Sequence, residues 1–292
     1  MKISTLRSHA AQITAAALIL VLPQFASAAT FTVNSTADVA DKNTADGECD
    51  TGNVVVINGE RKPECTLRAA IMETNVNLAG PVPDTIILPA LKAGPYRLMN
   101  GELNIVQSLN ILGAGFADTI IDGGLSNSRV FHIARDRGRP RPTVQISGVT
   151  IQNGRELNGN GGAIAIGVEA RLVLRNCIIT GNKTLAMGGG IVNEGRLFIS
   201  DSTISDNDSE AGGGGIANFG ELFLSQSTIG GILPAFADVQ LPADRTQRGN
   251  RNSDSGGGGV LNSGGKTTLE ESTVSNNRSG AGGGAGGAGI FK

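Results

Sequence analysis

The chain has no tryptophan and one tyrosine, Tyr96, and aromatic residues make up 3% of it. A globular core takes much of its buried area from large rings, so their scarcity points to an interior narrow enough to be filled by aliphatic side chains. Proline is sparse, 10 of 292 residues, while 39% of residues are hydrophobic, which excludes a disordered Pro/Gly-rich chain. Glycine is abundant at 43, but no Gly-X-Y period accompanies it, and collagen is excluded. Charge is nearly balanced, 24 basic against 26 acidic residues. No basic run offers a surface to nucleic acid or anionic lipid, and neither is expected as a partner. No apolar run is long enough to span a bilayer.

The longest such run, Ile13–Leu22, follows Lys2 and Arg7 and precedes Ala26-Ser27-Ala28. A positive start, a short apolar stretch and small residues at a cleavage point are the marks of a secretory signal. Residues 1–28 are read as that signal, cut after Ala28. The expected destination is the extracellular space or the outer cell surface, with no membrane span in the mature chain.

What the chain does have is repetition. Leu172–Arg196, Leu197–Glu221, Leu222–Lys266 and Thr267–Lys292 can be laid over one another, and a looser copy begins at Val144. The first two run from alternating apolar residues (Leu172 and Leu174, then Leu197 and Ile199) through an Asn-bearing bend to Gly-Gly-Gly-Ile; the third has Gly257–Val260 at that point and the fourth Gly-Gly-Ala-Gly-Ile. Alternation is a strand period, and a fixed repeat of this size marks a solenoid. The fold expected is all-β, a right-handed single-stranded parallel β-helix over residues 84–292 with about seven coils. Inward rows should include Leu174/Ile199/Leu224/Leu269 and Ile179/Ile204/Ile229/Val274. Asn182, Asn207 and Asn277 form one column and Asn193, Asn218 and Asn262 another, as amide ladders require. The recurring glycines run into strands and open no helix, so they are corners and not phosphate loops. Gly113-Ala114-Gly115 is likewise followed by a strand, which removes a dinucleotide site.

Residues 29–83 lie outside the repeat and are expected to cap the open end of the first coil with short strands at Phe31–Asn34 and Val54–Asn58 and a helix at Thr66–Asn75. Thr66 is placed as its N-cap. Cys49 and Cys65 both fall in this region and are read as a disulfide that stabilises it by about 3 kcal/mol. Cys177 aligns with Ser202, Ser227 and Ser272 and reads as a buried, inert thiol.

The cap carries a family resemblance. Cys65-Thr66-Leu67-Arg68-Ala69-Ala70-Ile71, preceded by Asp46-Gly47-Glu48-Cys49-Asp50, resembles the bacterial CSLREA domain, named for its Cys-Ser-Leu-Arg-Glu-Ala motif. That domain typically stands between a signal peptide and right-handed β-helix repeats of the polymorphic outer-membrane-protein or pectin-lyase-like kind. Asp84–Ala90, Tyr96–Ile105, Leu109–Gly123 and Arg129–Ile133 resemble the family as well. The resemblance implies the architecture and no particular activity. One departure is that Ala69 stands where the family has Glu, which removes half of a capping box.

Three places could carry chemistry. On the side of the stack, a glycosidase needs paired carboxylates and a lyase a basic residue beside acids. Outward positions down the stack read Asn176, Asp201, Gln226, Glu271, with Arg175 beside them, and no two acids meet on adjacent coils. His132 stands in a strand with no evident partner. Asp41, Asn43, Asp46 and Asp50 form a loose calcium-type loop, and Asp206–Glu210 is a weaker candidate; no other cofactor is indicated. The third full repeat carries an insertion, 232–254, in which Phe236, Leu241, Arg245, Arg248 and Arg251 are the candidate contacts for a partner. The last repeat breaks off at Lys292 without a cap, which reads as truncation of a longer array. The expected function is a secreted or surface-displayed structural or adhesive solenoid that meets a cell-surface polysaccharide or protein. The alternative is a carbohydrate-active lyase or hydrolase.

Overall fold

The computed structural model describes residues 28–76, 82–231, 249–253 and 256–280, with the backbone of 290–291. Signal residues 1–27 and the candidates Phe236, Leu241, Arg245 and Arg248 lie outside these. The chain winds as a parallel β-helix whose strands stack into four long sheets. One coil shows the pattern: Arg171–Arg175 in the first sheet, Ile178–Thr180 in the second, Lys183–Thr184 in the third and Ile191–Asn193 in the fourth. The second and fourth sheets each contain seven strands, so seven coils are stacked from Asp84 onward. The first sheet has an eighth strand, Thr30–Thr32, paired in parallel with Asp84–Leu88. The start of the expected cap is thus the outermost strand of the solenoid itself.

Register explains the sequence alignment residue by residue. Leu172, Leu197 and Leu222 stand over one another, as do Ile179, Ile204 and Ile229. All six are buried. The rows weaken at the last coil, where Leu269 is 36% exposed against 1% for Leu224 one coil earlier. Burial in a solenoid comes from coils on both sides, and the strand of Leu269 has a described neighbour on one side only.

Three polar ladders run parallel to the apolar rows. In the first, Asn182 donates to Asn207 Oδ1 (2.9 Å), Asn207 to Asn250 Oδ1 (2.9 Å) and Asn250 to Asn277 Oδ1 (2.9 Å). Each amide oxygen also accepts the backbone N–H of the preceding coil's asparagine. The second joins Asn193 to Asn218 and Asn218 to Asn262, both at 2.7 Å. The third is of hydroxyls: Ser202, Ser227 and Ser272 accept the backbone N–H of Cys177, Ser202 and Ser227. Cys177 heads that column, buried, and desolvation pushes its thiol up to about 11.

The glycine triplets serve two needs. Gly188 and Gly213 hold φ of 74° and 63°, in the left-handed region that a side chain disfavours. The glycines after them are required by space: a Cβ on Gly189 would lie 2.4 Å from the Gly214 carbonyl oxygen of the next coil.

The cap closes the other end. Helix α1, Leu67–Val76, packs Leu67, Ala70 and Ile71 into the core continuous with Ile86 and Leu103. Thr66 Oγ1 accepts the Ala69 N–H at 3.1 Å, so the N-cap works with the hydroxyl alone. Arg68 pairs with buried Asp38 (2.6 Å) and donates to the Gly101 and Glu102 carbonyls, which fastens helix to first coil. Cys49 and Cys65 are bridged, with Cα atoms 5.1 Å apart. Val54–Ile57 is the outer arm of a hairpin with Glu60–Pro63, turned at Asn58-Gly59, where both residues have positive φ.

Replacing Asn207 by Ala would leave the Asn182 backbone N–H without its acceptor and take a donor from the Ile179 carbonyl in the interior, while the Asn182 amide keeps the Ile151 and Thr180 carbonyls. The expected cost is about 2–3 kcal/mol, a fall in melting temperature of roughly 5–10 °C, measured by thermal denaturation against an exposed control such as Gln145→Ala.

Candidate functional site

The outer face of the first sheet is where register assembles an exposed surface. Its central outward column reads Gln145, Val173, Phe198, Phe223, Thr268. The Phe198 and Phe223 rings are half-buried, 6.1 Å apart and tilted by 33°. The Arg171 guanidinium lies over Phe198, 4.4 Å from its centroid, within range of a cation–π contact. At the adjoining corner a groove of about 400 Å³ is lined by Arg141, Glu169, Arg171, Glu194, Arg196 and Glu221. Arg135 and Arg141 converge on Glu169 and hold its carboxyl below the usual range, Arg135 by its hydrogen bond above all. Arg196 and Glu221 face each other at 3.3 Å. A rigid strip of ring faces edged by hydrogen-bonding charges can hold a flat, polar-rimmed ligand.

His132 does have partners, contrary to the sequence-based expectation. Its Nδ1 lies 3.1 Å from Asn104 Oδ1 and 3.5 Å from Glu102 Oε1. Arg129 bridges Glu102 (3.0 Å) and Glu156 (2.9 Å). Three coils contribute to this cluster, Asn104 standing in register with His132. It also places two acids on one shared cation, which the outward columns of the regular repeats did not reveal. The hydrogen bond from His132, then the charges of Arg129 and His132, hold the Glu102 carboxyl below its usual range. A histidine beside a carboxylate can relay a proton. Here Arg129 is shared between both acids, so the arrangement is first an ion-pair network.

The other candidates are placed as follows. Asp201 and Arg175 occupy neighbouring coils, and Asp201 lies between Asn176 and Gln226 in a column of left-handed corners (φ 51°, 50° and 48°). In the 41–50 loop Asp41 accepts the Asn43 and Asp50 amides, Asp46 the Glu48 amide and Asp50 the Gly52 amide, while Lys42 pairs with Asp50. Buried Glu73 accepts the amides of Ala45 and Gly47 and so holds the loop on helix α1. These carboxylates serve as acceptors for the loop's own amides, and among the described residues no three His, Cys, Asp or Glu side chains converge as metal ligands. Arg251 is not part of an insertion loop: Arg251–Asn252 is a strand of the third sheet, in register with Asp208–Ser209. Asn250 rejoins the amide ladder, so the regular coil resumes before residue 254.

No protein-family model, curated protein or solved structure matches the chain. Its function is therefore to be sought in the chemistry of these surfaces. Among the described residues no helix is long and apolar enough to cross a membrane.

The depressed Glu102 carboxyl makes a pH-dependent contribution. A group whose folded pKa is lowered stabilises above its unfolded value and loses that contribution as pH falls through the folded one. Glu102→Gln should therefore melt below the parent protein near neutral pH, and the gap should close below the ordinary value of 4.5. Melting temperatures from about pH 3 to pH 7 check this.

Proposed function

We propose that this chain is a secreted or surface-displayed solenoid of the CSLREA type, non-catalytic, whose lateral face adheres to a cell-surface polysaccharide or protein. The observation that carries the reading is the strip of Arg171, Phe198 and Phe223. Aromatic and arginine side chains dominate binding energy where they stand on a rigid support. Rings on adjacent strands of a sheet lose little conformational freedom when a ligand covers them. The signal-like start of the chain and the motif order of the cap support export, and the regular stack supports a structural role.

A second reading, a polysaccharide-cleaving enzyme, has one observation in its favour: His132 beside Glu102 with Glu156 across Arg129. Its weakness is that both acids are already engaged by Arg129, and that Asp201 has no acidic neighbour on the adjoining coils.

The test is binding of the mature protein to a glycan array and to intact cells, run beside a depolymerisation screen of acidic and neutral polysaccharides with and without calcium. Phe198→Ser/Phe223→Ser should weaken binding about tenfold or more while melting within a few degrees of the parent. Release of unsaturated or reducing ends, abolished by His132→Ala or by changing Asp201 or Arg175, would overturn the adhesive reading.

A further inference from the structure

The third sheet, whose strands are only two residues long, carries a charge column that the repeats alone do not display. Arg155, Lys183, Asp208, Arg251 and Arg278 stand in register on five successive coils. Parallel strands repeat about every 4.8 Å, so four cations and one anion lie on a line roughly 19 Å long. Stacking like charges at this spacing is unfavourable. Asp208 offsets only its two neighbours, Lys183 at 3.3 Å and Arg251 at 3.6 Å. The second distance exceeds a hydrogen bond, and Asp208 Oδ1 has no hydrogen-bond partner among the described residues. Arg155 and Arg278 make no ion pair among the described residues.

Like Arg97 and Arg175, these cations are not among those described residues that the fold itself ties down by side-chain hydrogen bonds. Arg68, Arg129, Arg135, Arg139 and Arg141 each donate side-chain hydrogen bonds within the protein. Among the described residues no side-chain hydrogen bond ties down the four cations of the column, and Lys183 and Arg251 are 41% and 59% exposed. Beside them a groove of about 630 Å³ is lined by Asp206, Asn207, Asp208, Gly249, Arg251 and Arg278.

We propose that this column is a binding site for a linear acidic polysaccharide lying along the solenoid axis, its carboxylate or sulfate groups taken in turn by the unspent donors. A sugar chain that carries one charge per ring or per pair of rings matches a ladder of single cations. Asp206, Asp208 and Glu210 on the same face disfavour a phosphodiester backbone, whose charge is denser. The proposal rests on the adhesive reading but uses a different face from the Phe198–Phe223 strip.

Affinity electrophoresis of the mature protein through gels containing polygalacturonate, chondroitin sulfate, dextran or polyphosphate tests it. The expected result is retardation by an acidic polysaccharide and not by dextran, weakening as salt rises. Arg251→Glu/Arg278→Glu and Arg155→Glu/Lys183→Glu should each lower affinity about tenfold or more, with the circular dichroism spectrum of the folded protein preserved. Phe198→Ser/Phe223→Ser should leave this binding intact, which separates the site from the strip. No retardation by either acidic polysaccharide, equal retardation of the charge-reversed variants, or equal retention in dextran would overturn the site. Polyphosphate held as tightly as polygalacturonate would overturn the ligand class.

A separate observation concerns the start of the mature chain. The Ala29 backbone nitrogen lies 2.7 Å from Asp84 Oδ1, and the Ala29 carbonyl accepts the Thr85 N–H at 2.8 Å. Asp84 is 1% exposed, and Ala29 packs against the core. We infer that cleavage after Ala28 completes the fold. Hydrolysis of the Ala28–Ala29 bond by a signal peptidase, with water as co-reactant, leaves a carboxylate on Ala28 and an α-ammonium on Ala29. That ammonium forms beside a buried carboxylate and turns an amide-to-carboxylate hydrogen bond into an ion pair at the edge strand of the first sheet.

Intact mass of the exported protein should place its first residue at Ala29. Protein starting at Ala29 should melt roughly 2–4 °C above the same chain bearing a Gly-Ser extension. Asp84→Asn should erase that difference. Cleavage at another residue, or an equal effect of Asp84→Asn on both forms, would overturn the inference.

Discussion

Everything in this protein answers to the spacing between coils. Parallel strands hydrogen-bond only when successive turns superpose at about 4.8 Å, so each position of one coil touches its equivalents above and below. A side chain is thereby selected less by its own turn than by its column. Aliphatic rows fill the interior because identical branched side chains stack without voids. Asparagine occupies buried corners because one amide can both accept from the coil before and donate to the coil after. Serine in the third ladder accepts the backbone N–H of the coil before and donates its hydroxyl to the carbonyl two residues back on its own coil. Glycine follows Gly188 and Gly213 because at that corner the coils approach until no Cβ fits. The polar ladders matter as much as the apolar rows, since every buried amide left without a partner costs more than a lost methylene.

The same constraint organises the outside. Outward columns repeat as faithfully as inward ones, so a modest sequence difference between coils becomes a linear pattern on a rigid support. The Phe198–Phe223 pair and the Arg155-to-Arg278 column are two such patterns on two sheets. Neither needs a cavity, and both present contacts at intervals set by the backbone. A solenoid of this kind presents its contacts along a line, which suits extended partners better than compact ones. The His132 cluster belongs to another part of the design. It lies where coils one to three are irregular, and its ion pairs join strands that lack the amide ladders of later coils.

Legibility in the sequence followed regularity. From residue 172 onward the repeats align closely, so the inward rows, the second asparagine column, the serine column and three members of the first asparagine column could be read directly. The Cys49–Cys65 bridge and the Thr66 cap were legible because local chemistry decides them. The Glu102, Arg129, His132 and Glu156 cluster was not, because the early coils differ in length and no alignment showed that these residues share a face. The third-sheet column escaped for a different reason: a strand of two residues has no visible alternation. Asn250 was hidden behind the insertion, and its absence left a gap in the first asparagine column. Alignment alone puts Leu269 in an inward row, but it carries no information about whether a further coil covers that row.

The insertion shows how strictly the column rule operates. Residues 232–248 have no counterpart in the neighbouring turns, yet the described residues that follow them are in register at once. Asn250 takes its place between Asn207 and Asn277, Arg251 pairs with Asp208, and Val260 lies over Ile216. Loop length adds only slowly to closure entropy, about 0.6 kcal/mol per doubling, whereas a displaced asparagine would break two links of a buried ladder. The greater cost would therefore fall at the corner where the chain rejoins the coil, not along the added residues. Additions are tolerated at corners between strands so long as the first residues back include the one the ladder requires. Asn250, more than anything within the segment, is what allows this coil to be longer than its neighbours.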